Sequence, residues 1–307
     1  MPDSKSSRWG QAMSARLLAL LLLLLATTSA LADPQAGPTG APMGPDNWQQ
    51  WWVPITTAAT GSQVFLLETV VYRPSGGGPF PLVIINHGKP REAKLVARTM
   101  HPAFDAAAGW FVDRGFAVVI PMRRGYGSSQ GEISDLAAGD CDHRDYFTSA
   151  RMHVPDIDGV IAYMQRQSFV DPNDIFVLGH SWGGLGALGV AYDAPRGVVG
   201  ILNFAGGGGS FAPGQICGGE DRLIADVGRL GTGVRIPEIW LYAENDHYFA
   251  PPLAHAMFEA YRANAQAPIT FIELPPFDGD GHLTILGGDP IIWGPAVDKF
   301  LAGLPKN

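Results

Sequence analysis

The stretch IFVLGHSWGGLGALG, residues 175–189, sets an apolar run against small residues, with one hydroxyl, Ser181, between them. The pentad Gly179-His180-Ser181-Trp182-Gly183 fits G-x-S-x-G. Five residues alone decide little, because a serine capping a helix would look the same. Context separates the two readings. IFVLGH reads as a buried strand and GLGALGVA as a helix, which puts Ser181 on the sharp turn between them. A turn of that kind presses backbone against backbone, and Gly179 and Gly183 permit it because they carry no Cβ.

The alternation continues on both sides. Residues 63–74 (QVFLLETVVYRP) and 81–86 (PLVIIN) read as strands, and a helix through 102–115 leads into a strand at 116–122. A helix over 154–167 leads into the strand at 174–180. Beyond Ser181 the pattern gives a strand at 197–206, a helix near 218–230 and a strand at 238–244. A helix at 255–265, a strand at 269–275 and a closing helix at 294–304 follow. Short continuous apolar strands separated by helices predict an α/β fold, a mostly parallel central sheet with helices on both faces. In such sheets ligands bind beyond the carboxyl ends of the strands. The interval from Gly206 to Glu238, about thirty residues, leaves room for a minimal lid at most.

The 307 residues are 46% hydrophobic and 16% charged, with a formal charge of -8. That composition suits a folded core and gives no support to nucleic-acid binding. Lys5, Arg8 and Arg16 precede the apolar run 17–26, and Ala30-Leu31-Ala32 follows, the pattern of an export signal over 1–32 cleaved near Ala32. Ten apolar residues are short for a membrane anchor, so none is expected after cleavage. Residues 33–54, rich in Pro and Gly, are expected to form an irregular arm tacked down by Trp48, Trp51 and Trp52, with 55–307 as one domain. An aromatic patch for carbohydrate is the alternative use of those tryptophans. Export favours a bridge between Cys141 and Cys217 over two buried thiols. Neither cysteine has zinc-site spacing, and no metal or cofactor is expected.

A nucleophilic serine needs a base and an orienting acid. Of eight histidines, His282 lies just past the last strand in the glycine-rich loop PPFDGDGHLT and is the expected base. Asp246, in LYAENDHYF after the preceding strand, is the expected acid, with Glu244 as the runner-up. The order Ser181, Asp246, His282 matches the order in which this strand–turn–helix arrangement supplies a triad. The backbone N–H groups of Trp182 and Lys89 are the expected oxyanion donors. Gly88 lets that loop turn, and Pro90 biases Lys89 towards extended geometry. His87 is expected to brace the loop. Arg123 and Arg124 either clamp a substrate carboxylate or pair with acids to hold the loop RGYGSSQG. Arg124, Tyr126 and Phe249 are candidate pocket residues, with Trp182, Phe204 and Phe277 as further aromatic walls.

Five stretches carry a resemblance: RPSGGGPFPLVIINHG, RRGYGSSQG, DPNDIFVLGHSWGG, LYAENDHYF and DGDGH, in that order over about residues 60–290. Together they are similar to the α/β-hydrolase superfamily and, within it, to dienelactone hydrolase-type esterases. The resemblance implies a serine hydrolase acting on a small-molecule ester; its export is expected from the signal pattern over 1–32. Typical dienelactone hydrolases use a cysteine nucleophile, and Ser181 in its place favours general carboxylic-ester hydrolysis over lactone opening. Exopeptidase-like serine hydrolases share RGYGSSQG and GHSWGG, so a peptidase or amidase is the nearest alternative. A non-catalytic binding protein on the same fold is the more distant one.

Overall fold

The structure, a computed structural model, describes residues 35–57, 61–90, 104–136 and 138–304. The expected export signal lies outside the described residues, as does the start of the helix expected over 102–115. From Ala36 onward the chain is one compact unit. Among the described residues no helix is long and apolar enough to cross a membrane.

Eleven strands occur among the described residues. The first five are β1 Gly37–Met43, β2 Trp48–Ile55, β3 Phe65–Tyr72, β4 Phe80–Asn86 and β5 Ala117–Pro121. They are followed by β6 Val170–His180, β7 Val198–Phe204, β8 Ser210–Ala212, β9 Gln215–Ile216, β10 Glu238–Ala243 and β11 Ile269–Leu274. Nine of them form one sheet in the order β1-β2-β3-β5-β4-β6-β7-β10-β11, while β8 and β9 pair as a separate ribbon. Within the large sheet the pairings among β1, β2, β3 and β5 are antiparallel, and the pairings β5–β4, β4–β6, β6–β7, β7–β10 and β10–β11 are parallel.

The central strands are buried on both faces because their residues serve two cores alternately. Val83, Ile85, Phe176, Leu178 and Leu241 face one core, under α1 (Asp105–Val112) and a helix at Gly294–Ala302 that closes the chain. Leu82, Ile84, Val177 and Trp240 face the other, under α2 (Tyr146–Arg151), α3 (Val154–Met164), α4 (Trp182–Asp193), α5 (Glu220–Leu230) and α6 (Pro251–Arg262). A short α7, Thr284–Gly287, follows β11. The β8–β9 ribbon and α5 occupy the interval between β7 and β10, so the minimal lid expected there agrees with the fold.

The arm expected to be irregular is instead two strands of the main sheet. Residues 48–55 alternate half-buried with buried, and Gln49, Trp51, Val53 and Ile55 point inward. That period of two outweighs the Pro and Gly content, which is concentrated in β1. β1 is an exposed edge strand, where a proline costs no ladder hydrogen bond. Trp51 is buried against Phe169, its indole N–H bonded to Gln49, so it is not available to a carbohydrate. β6 also starts earlier than the apolar run indicates, at Val170.

Candidate active site

Ser181 closes β6 and opens α4 with φ 56° and ψ −123°, in the left-handed region that a side chain ordinarily avoids. Such a residue carries about 1–3 kcal/mol of strain and persists only where its surroundings fix it. Here they do. The Ser181 N–H donates to the Phe204 carbonyl at 3.0 Å, and its own carbonyl accepts from Leu185 and Gly207, each at 3.1 Å. A Cβ on Gly179 would collide with the Gly183 carbonyl, and one on Gly183 with the carbonyls of Asn86 and His87. The turn therefore needs both glycines, as the sequence indicates.

The loop after β10 carries Asp246, buried at its tip. One carboxylate oxygen accepts the N–H groups of Tyr248 at 2.7 Å and Phe249 at 2.9 Å; the other lies 3.1 Å from His282 Nδ1. Glu244, by contrast, is exposed. His282 sits in a short 3₁₀ turn, Gly281–Leu283, entered through Asp280, whose carboxylate accepts the His282 N–H at 3.0 Å. Ser181 and His282 border one cavity of about 210 Å³.

Several residues that hold His282 escape a reading by motif. The Tyr248 ring stacks on the imidazole at 3.9 Å, nearly parallel. The Asn245 side chain donates to the carbonyls of Phe277 and Asp278 and accepts the Phe277 N–H, fixing the loop between β11 and His282. His180 is buried, and its ring is held down to about 3 by that burial and by His282. It is neutral and donates Nε2–H to the His282 carbonyl at 2.8 Å. None of these carries a sequence signal of its own, because each acts through a partner outside its own motif.

Behind the loop of His87, Gly88 and Lys89 lies a buried polar cluster. The Arg123 guanidinium bonds Asp135 at 2.8 Å, Asn86 at 2.5 Å and the His87 carbonyl at 2.6 Å. Burial raises the Asp135 carboxyl, but Arg123 overrides it and holds the group far below the usual carboxylate range. Burial, aided by Arg123, holds His87 well below its ordinary value. Neutral His87 accepts the Arg123 backbone N–H at Nε2 (3.2 Å) and donates from Nδ1 to the Gly88 carbonyl (2.7 Å), which braces the loop. Trp182 donates its indole N–H to the Asp135 carbonyl, while its backbone N–H, the first of α4, has no acceptor within the helix.

The pocket candidates divide. Phe249 borders a second cavity of about 290 Å³ that also reaches Ser181, Trp182 and Lys89. Arg124 does not border either cavity; it is tied to Asp156 through both its backbone N–H (2.9 Å) and its side chain (2.6 Å). Tyr126 is fully buried with its hydroxyl on Asp135, and Phe204 packs on Trp293 in the core. Phe277 borders neither cavity. The arginines thus hold the RGYGSSQG loop. Cys141 and Cys217 form a disulfide, with a Cα separation of 4.8 Å, in the wall of the larger cavity. Among the described residues no cluster of side chains is arranged for a metal ion.

A family described as serine aminopeptidase, S33, matches residues 81–207, which run from β4 through the Ser181 turn to the end of β7. Among solved structures, the chain is similar to the Pyrococcus furiosus esterase Pf2001, with a TM-score of 0.57 at 14% identity over 89% of this chain and 99% of that one. It is also similar to a putative dienelactone hydrolase from Klebsiella pneumoniae (TM-score 0.50, 16% identity, 80% and 97% covered). Est1E from Butyrivibrio proteoclasticus, solved with ferulic acid bound, gives 0.52 at 16% identity, with 81% and 97% covered. Compared with curated proteins, the chain matches none. The chain has the α/β-hydrolase fold, as the order of its motifs indicates.

Proposed function

We propose that this chain is an exported serine hydrolase that cleaves carboxylic esters through Ser181, His282 and Asp246. The observation that carries the reading is the convergence of a strained, fixed serine with a histidine whose Nδ1 is held by a buried carboxylate, both on one cavity. His282 Nε2 takes the proton as Ser181 Oγ bonds to the acyl carbon. Asp246 fixes the tautomer and stabilises the imidazolium that forms. The Lys89 and Trp182 backbone N–H groups receive the negative charge on the acyl oxygen. His282 then gives its proton to the departing alkoxide, leaving an ester on Ser181 that water cleaves by the same sequence of transfers. The signal pattern over 1–32 and the Cys141–Cys217 bridge support export.

The matched family's description also raises an aminopeptidase reading. Such an enzyme needs an anion to hold the free α-ammonium of its substrate. Among the described residues no acidic side chain borders either cavity; Lys89 borders both and Arg144 the larger, which favours the esterase. A fluorophosphonate probe tests the proposal: it should label the intact protein and not Ser181→Ala. Parallel assays on 4-nitrophenyl esters and aminoacyl anilides follow. Absence of labelling would sink the serine mechanism, and turnover of anilides alone would replace esterase by peptidase.

A further inference from the structure

The cavity wall around Arg144 has features that ester cleavage alone does not require. Two cavities meet at Ser181. The smaller includes His282, Leu283 and Leu286; the larger excludes His282 and extends past Trp182, Gly208 and Phe211 to Arg144 and the disulfide. On the mechanism above, His282 protonates the leaving alkoxide, so the alcohol occupies the side that His282 borders. The acyl chain then extends into the larger cavity.

That cavity is apolar along much of its length and cationic at its borders. Among the described residues neither Lys89 nor Arg144 has a carboxylate within ion-pair distance. Asp140, within electrostatic reach of Arg144, is exposed and bonded to His143. Arg144 Nε is buried without a hydrogen-bond partner, and Nη2 donates to Cys217 Sγ at 3.0 Å, a weak acceptor for a guanidinium. A buried donor left unpaired is costly, and a carboxylate is the group whose geometry best satisfies a guanidinium edge. Lys89, with its ammonium 5.1 Å from the Trp182 ring, stands on the same cavity. The disulfide holds this receptor: Cys141, three residues before Arg144, is bonded to the sulfur on which Arg144 rests.

We propose that the larger cavity receives an acyl chain ending in a carboxylate, with Arg144 and Lys89 as specificity-determining cations. The preferred substrates are then half-esters of short dicarboxylic acids. The proposal rests on the assignment of Ser181 and His282 above.

Monomethyl adipate and methyl hexanoate, compared by acid release in a pH-stat, provide the test. The wild-type protein should favour the half-ester in kcat/KM by about tenfold or more, the scale of a charged hydrogen bond. Arg144→Gln should lower that ratio about tenfold, and Arg144→Lys, which keeps the charge and loses the fork, should fall between them. A wild-type ratio at or below one overturns the proposal. So does an unchanged ratio in Arg144→Gln that still reacts with fluorophosphonate at the wild-type rate. If that variant does not fold, inhibition of the wild-type protein decides: adipate must bind more tightly than hexanoate. Turnover of methyl hexanoate without a half-ester preference removes this inference alone. Absence of both labelling and ester turnover removes the serine mechanism and the inference with it.

Discussion

Replacing Asp246 by Asn exchanges one oxygen for an NH₂ group, and the surroundings of the carboxylate determine where that group goes. One oxygen is held by two backbone N–H donors, at 2.7 and 2.9 Å, which an amide nitrogen cannot accept. The amide oxygen of the new side chain therefore keeps that position. Its NH₂ faces His282 Nδ1, where the carboxylate oxygen now lies 3.1 Å away. Nδ1 must then accept rather than donate, which moves the ring proton to Nε2 and, on the proposed mechanism, deprives Ser181 of its base. Loss of the correct tautomer lowers kcat by about 10⁴ in triads of this kind, equivalent to about 5 kcal/mol of barrier. The assay is steady-state hydrolysis of 4-nitrophenyl butyrate by Asp246→Asn, alongside Glu244→Gln and with thermal unfolding to verify the fold. Glu244 is exposed, and its variant should stay within about twofold. A folded Asp246→Asn retaining more than a tenth of kcat, or an equal loss in Glu244→Gln, would refute the reasoning.

Three further outcomes concern stability. Arg123→Met leaves Asp135 buried without its partner and should cost about 3–5 kcal/mol in urea unfolding, with part restored by Asp135→Asn in the same chain. Cys141→Ser with Cys217→Ser opens a cross-link between residues 76 apart, and chain entropy puts the loss at about 4 kcal/mol; equal unfolding midpoints for the two proteins would contradict this. Glu238 is fully buried, and burial pushes its carboxyl up to about 7 against the opposing hydrogen bonds from Tyr261 and Trp240. Because the folded value lies above the unfolded one, this group's contribution is complete below about pH 4.5 and is lost as pH rises through 7. Glu238→Gln should therefore gain on the wild type by up to about 3 kcal/mol between pH 5 and pH 8. A difference in Tm that does not change over that range would disprove it.

The parallel half of the sheet is legible in the sequence because most of its strands are short apolar runs, and β6, β10 and β11 lead into loops that carry a distinctive polar residue. Ser181, Asp246 and His282 can be read in the same way, as residues placed just past β6, β10 and β11. The β1–β2 hairpin is not apparent because Pro38, Pro42 and the glycines of β1 outweigh, by composition, the alternation in Trp48–Ile55. The cavity walls are harder still. Arg124 and Tyr126 lie near the right strand end in sequence, but Asp156 and Asp135 hold them elsewhere. Arg144 rests on Cys217, a residue 73 positions away that the disulfide brings to it, a relation that no local pattern encodes.

The position of His282 in the sheet order has a consequence for how this molecule loses function. Ser181 is anchored at the end of β6, in the middle of the sheet with β4 on one side and β7 on the other. His282, its proposed base, follows β11, the outermost strand, joined to the sheet only through β10. Edge elements open at lower free energy than central ones. Warming or mild denaturant should thus fray the margin that carries the imidazole while the centre, both cores and the serine turn persist. Function and fold are in this sense separable: activity should fall at a lower denaturant concentration than the one that unfolds the centre of the sheet.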